Sequence, residues 1–150
     1  MKTNMLLGSR RVALGCIPAL MGAASIALAA QTIKGAAILD HPCGKTAARQ
    51  MGLLHEGKVE DANRLSTRAL QAQWQSMPEK DRKMMADMSK TMSPSAEEYS
   101  DAIRKTGVLT VDGASALLTV SQTKRDANGS STSTMTQKLA MEGGQCLVSR

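Results

Sequence analysis

The sequence predicts an α+β fold in which N-terminal helices pack on a curved antiparallel sheet of about four strands. Three observations carry that expectation. Apolar residues recur at three- and four-residue spacing between Pro42 and Met92, the pattern changes to alternation beyond Gly107, and Gly-containing turns divide the second half. Helices first and strands second is the order of an α+β domain.

Ahead of the domain, residues 1–29 have the layout of a cleaved export signal. Lys2, Arg10 and Arg11 form a positive n-region, Val12 to Leu28 an apolar stretch, and Ala27 and Ala29 supply the small side chains a signal peptidase needs. Cleavage is expected after Ala29 or one residue later, giving a periplasmic or secreted protein that meets a membrane only through its signal. Ser9 to Leu14 also fits the opening of a twin-arginine signal, so that route and the general secretory route both stay open. Ala13-Leu14-Gly15-Cys16 loosely resembles a lipobox, but only Val12 to Gly15 separate Cys16 from the charges, and the apolar run continues well past it. That placement argues against a lipoprotein. Gly15, Pro18, Gly22 and the Ala-rich end suit a cleaved signal better than a retained span.

Removing the leader leaves 121 residues, enough for one core and too few for two. The basic residues fall from 19 to 16 against 13 acidic ones, so the net charge drops from +6 to +3. Lys and Arg alternate with Asp and Glu, as in Glu79-Lys80-Asp81-Arg82-Lys83, and the whole chain has one Trp, one Tyr and no Phe. A nucleic-acid surface needs a one-signed stripe, and single-strand binding adds aromatic platforms, so nucleic acid is not expected as a partner. Cys43 and Cys146 are the two cysteines that survive cleavage. In an oxidising compartment they are expected to pair; the alternatives are two buried thiols or a redox site, and no Cys-x-x-Cys motif supports the latter.

Residues 30–41 read as a linker or lead-in strand, followed by one domain over 42–150. His41-Pro42 looks like a helix start, with Ala47, Met51 and Leu54 at helical spacing and Gly57 placed to end the helix. Val59, Ala62 and Leu65 repeat that spacing in a short second segment. Leu70, Trp74 and Met77 mark a third, interrupted by Pro78. The strongest helix follows, with Met84, Met85, Met88 and Met92 on one side and Lys80, Lys83, Asp87 and Lys90 among its polar positions. Ser93-Pro94-Ser95 breaks it, and Ser95 with Glu98 forms a potential capping box for one or two further helical turns. Val108 to Val111, a turn at Asp112-Gly113 and Ala114 to Thr123 read as a hairpin. Asp126 to Gly129 is the next turn. Ser131 to Met141 reads as a strand with Met135, Gln137, Leu139 and Met141 on one face, and Gly143-Gly144 leads into a last strand, Gln145 to Ser149.

Three stretches give the chain a resemblance to the nuclear transport factor 2-like superfamily, the cone-shaped fold of many small secreted bacterial domains. Thr46 to Ser66 looks like its opening helix pair, Val108 to Val120 like its Gly-turned hairpin, and Met141 to Val148 like its closing strand. Cys146 lies near the Trp that many relatives carry, which implies that a bridge to Cys43 fastens the first helix to the last strand in place of aromatic packing. The resemblance implies a pocket within the cone, catalytic in some members and noncatalytic in many.

The candidate proton carriers for such a pocket are His55 and Tyr99, with Asp101 and Asp112 behind them. Asp112 belongs to a turn, His55 complements a helix dipole, and Asp101 lies among other charges, so an ordinary structural role is expected for these three. Met84, Met88 and Met92, at i, i+4 and i+8, are candidate Cu(I) ligands, because thioethers are soft donors. Against this, a chain without Phe is expected to fill its core with Met. His41 beside Cys43 falls short of a closed zinc site, and Trp74 reads as a core anchor. Leu118, Val120, Met135 and Leu139 are expected either on a concave binding face of the sheet or in the core beneath it.

The functional expectation is a noncatalytic exported binding or scaffold domain, such as an immunity or inhibitor protein, whose partner is a protein or a small apolar ligand. The alternative is a cofactor-independent lyase or isomerase using Tyr99 or His55 as proton carrier. Neither reading implies a cofactor.

Overall fold

A computed structural model describes residues 29–126 and 129–150; positions 1–28 of the export segment, Cys16 among them, and the loop positions 127–128 lie outside the described residues. The chain enters the domain through β1 (Gln31–Lys34), which pairs antiparallel with β2 (Val108–Asp112). A 3-10 turn over Gly35–Leu39 then buries Ile38 completely. Of the two sequence expectations for this stretch, residues 31–34 are thus the lead-in strand, and they make a fifth strand where about four were expected.

Five helices follow: α1 (Pro42–His55), α2 (Val59–Asn63), α3 (Arg68–Ser76), α4 (Glu79–Met92) and α5 (Ala96–Thr106). Pro42 occupies the first turn of α1, where a missing N–H is harmless, and the His41 ring Nδ1 accepts from the Cys43 N–H at 3.2 Å. Gly44 has a packing reason: a Cβ there would sit 1.8 Å from the Ile38 carbonyl oxygen, so only glycine lets α1 approach the 3-10 turn. Pro78 and the Ser93-Pro94 pair delimit α4 as the sequence predicts. Helix α5 is longer than one or two turns, with 11 residues; Ser95 and Glu98 form the full capping box, and basic Arg104 and Lys105 end the helix.

Strands β2, β3 (Ser115–Asp126), β4 (Gly129–Glu142) and β5 (Gln145–Ser149) form a meander, and the sheet order is β1-β2-β3-β4-β5, antiparallel throughout. Asp112 pairs with Ser115, so the first hairpin turns on Gly113 and Ala114, one residue later than Asp112-Gly113. Gly143 and Gly144 join the last pair with φ of +59° and +79°, the double positive-φ conformation of the hairpin turn that matches strand twist.

One sheet face carries the core. Leu109, Ala116, Leu118, Val120, Leu139 and Val148 alternate inward and meet Ala47 of α1 and Tyr99 and Ile103 of α5. Cys43 and Cys146 are bonded, with Cα atoms 5.0 Å apart, joining the start of α1 to β5 across 103 residues. Thr46 reinforces the contact by donating to the Cys146 carbonyl at 2.8 Å. At the sheet's far edge, Ser66 makes a parallel bridge with Val148: the Val148 N–H donates to Leu65 O, and Thr67 N–H to Val148 O. Trp74 is buried as an anchor, its indole N–H donating to Glu60 Oε1 at 3.0 Å, where Arg82 also pairs at 3.5 Å.

Helix α4 departs from expectation. None of its residues is buried, and Met84, Met85, Met88 and Met92 are 56%, 42%, 52% and 75% exposed. The half-buried positions are Asp81, within the methionine sector, and Arg82, Ala86 and Ser89, a stripe off to its side. The expectation that these methionines fill the core is therefore overturned: the half-buried side chains of α4 are Asp81, Arg82, Ala86 and Ser89, and its sulfur-rich side is largely exposed.

Candidate functional site

An open groove of about 810 Å³ lies between the α4–α5 corner and the distal halves of β3 and β4. Its position follows from local sequence. The Ser93-Pro94 break turns the chain from α4 into α5, and the capping box at Ser95 fixes the angle of entry. Along α5, Tyr99 and Ile103 face the core, which leaves Asp101, Ala102 and Lys105 to line one wall. Ser121, Thr123 and Ser133 bring hydroxyls from the sheet, and Met92 and Met135 add thioethers. Thr106 ties the wall to the floor: the Ser121 N–H donates to its Oγ1 at 3.0 Å, and the Thr106 hydroxyl donates to the Ser121 carbonyl at 2.7 Å.

His55 also lines this groove, at the C-terminal end of α1. Its Nδ1–H donates to the Ser93 carbonyl at 2.9 Å, which leaves Nε2 as the ring nitrogen without that partner. Asp101 is engaged by Arg104 at 2.6 Å, as helix-surface partners three residues apart. Asp112 lies at the end of β2, remote from the groove.

Tyr99 is elsewhere. It is fully buried, and its hydroxyl donates to Gln137 Oε1 at 3.3 Å. Gln137 Nε2 donates to Gln50 Oε1 at 2.6 Å, and Gln50 Nε2 in turn reaches Ser66 Oγ at 3.2 Å and the Ala62 carbonyl at 3.4 Å. This relay runs from α5 through β4 and α1 to the α2–α3 link. Desolvation pushes the Tyr99 phenol up to about 12, so at neutral pH it is a hydrogen-bond donor. Among the described residues the hydrogen bonds of the relay link Tyr99, Gln137, Gln50, Ser66 and the Ala62 carbonyl, and Tyr99 does not line the groove.

The two expected proton carriers are therefore not brought together: His55 opens on the groove and Tyr99 is sealed in the core. Leu118, Val120 and Leu139 take the core role of the two open to them, and of that set Met135 alone reaches the groove. Met84 and Met88 lie on the outer side of α4, and Met92 continues that side to the groove margin.

Sequence reasoning missed the Gln50–Gln137 pair, although both carried a signal. Gln137 stands between Met135 and Leu139 on the inward face of β4, and Gln50 is three residues from Ala47 on the inward face of α1. A polar side chain at a core-facing position needs a buried partner, and each is the other's. No family model, curated protein or solved structure matches the chain.

Proposed function

We propose that this protein is a noncatalytic exported binding domain of nuclear transport factor 2-like type that holds a protein partner or a small apolar ligand in the groove beside α5. The observation that carries the reading is the composition of that groove. Hydroxyls, two thioethers and the charged or titratable side chains of His55, Glu98, Asp101 and Lys105 line an open, partly apolar surface, and the buried phenol of Tyr99 is not among its lining residues. Such a surface suits complementary contact rather than proton transfer at a desolvated centre.

Export is supported by the leader and by the bridge, because disulfides persist in oxidising compartments. Among the described residues no helix is long and apolar enough to cross a membrane. The helices-then-sheet order supports the superfamily reading, and an immunity or inhibitor protein is its most specific form. The test is affinity capture from periplasmic extract with wild type and Met135→Arg, each checked for folding by thermal melting. One stoichiometric partner held by wild type and released by the variant is the expected result, and equal capture by both refutes the groove.

A cofactor-independent lyase or isomerase is the second reading, supported by His55 sharing the groove with Glu98 and Asp101. It requires that His55→Gln abolish turnover of whatever ligand the groove retains.

A further inference from the structure

Helix α4 presents its four methionines as one patch. At 100° per residue, Met84, Met85, Met88 and Met92 fall within about a third of the helix circumference together with half-buried Asp81, and the half-buried stripe of Arg82, Ala86 and Ser89 lies off to the side. Core filling is the ordinary reason for thioethers in a helix, and here it does not apply, since all four are well exposed. Lys80, Lys83 and Lys90 occupy the other flank, so the patch holds no cation of its own.

We propose that this patch is a Cu(I) site centred on Met88. Neutral thioether sulfur is a soft donor that selects Cu(I) among the common biological metals, whereas zinc asks for thiolate, imidazole or carboxylate ligands. Among the described residues no cluster of three His, Cys, Asp or Glu supplies that harder set. Helix geometry decides which sulfurs share an ion. Met84 and Met92 stand about 12 Å apart along the axis, too far for easy chelation of one ion, whereas Met88 is about 6 Å from each. Met85, three residues before Met88, lies on the same side. One ion therefore takes Met88 with Met84 and Met85, which stand within about 6 Å of it along the axis, while Met92 lies too far from that pair to join them. Asp81 sits one turn before Met85 on that face and places a carboxylate near the added positive charge.

The site is independent of the groove function, because Met84, Met85 and Met88 do not line the groove. The experiment is anaerobic titration of the oxidised protein with Cu(I) against a chromogenic Cu(I) chelator, with thiols counted afterwards to verify the bridge. Ag(I), a redox-inert analogue, is followed in parallel by the methyl resonances of the methionines. The expected result is uptake of one equivalent, weakened at least tenfold in Met88→Leu and unchanged in Met141→Leu, a variant at another exposed methionine far along the chain on β4. Ag(I) should shift the Met88 methyl and those of at least two α4 neighbours while leaving Met51 and Met141 in place. No uptake by the wild type, uptake that survives Met88→Leu, or shifts spread over all methionines would each overturn the proposal.

Discussion

Helices α1 and α4 have the same length, 14 residues, and opposite relations to the rest of the molecule. Helix α1 buries Cys43, Gly44, Ala47, Gln50 and Gly52, is bonded to β5, and supplies one link of the internal glutamine relay. Helix α4 buries nothing and holds its apolar side chains in water. Sequence periodicity shows that a helix has an apolar face; it does not say whether another element covers it. Coverage depends on what the rest of the chain can reach, and here α1 and α5 already occupy the inner sheet face.

Breaking the covalent anchor of α1 should produce the largest effect. A crosslink spanning 103 residues contributes about 4–5 kcal/mol in the chain-entropy account, so a Cys43→Ser/Cys146→Ser variant should lose most of that amount in denaturant unfolding. A loss under about 1 kcal/mol would mean that packing alone seats α1.

The relay gives the next test. The Tyr99 phenol titrates near 12 in the folded chain and near 10 when unfolded, so folding favours its protonated form. Its contribution is complete below pH 10 and declines as pH rises from 10 towards 12, by roughly 2–3 kcal/mol in total. Tyr99→Phe removes that dependence while leaving Gln137 Oε1 without its donor, so alkaline melts of the two proteins should differ in slope. Parallel slopes would place Tyr99 in contact with water.

The smallest effect is expected on α4. Met88→Leu should change stability by less than about 0.5 kcal/mol, because the side chain is half exposed and no core depends on it. A loss of 2 kcal/mol or more would mean that a covering surface had been overlooked and would erase the contrast between the helices.

Much of the fold was legible because each signal was local. Pro42, Gly57, Pro78 and Ser93-Pro94-Ser95 mark helix limits by backbone chemistry that needs no tertiary partner, and the strands beyond Gly107 alternate cleanly. The fifth strand was less legible: Gln31–Lys34 is four residues with a single half-buried side chain, Ile33, and it is a strand only because β2 offers an edge. The candidate site was legible in parts. Cys43 and Cys146 could be paired because two cysteines leave one intramolecular choice, whereas the separation of Tyr99 from His55 depends on which face of α5 meets the sheet. Tyr99 and Ile103 turn inward together, four residues apart, and that places Asp101 and Lys105 outward.

The bridge between Ser66 and Val148 has a consequence for how the molecule behaves in company. A sheet edge is a row of unpaired amides and carbonyls, and strands of other molecules add to it readily. Here the amide and carbonyl of Val148 are already taken by Leu65 and Thr67. A second molecule extending the sheet past β5 would first have to peel away the α2–α3 link, which the Gln50 side chain holds from inside through Ser66. The hydrogen bonds that close the domain thus also guard that edge against growth into a fibre.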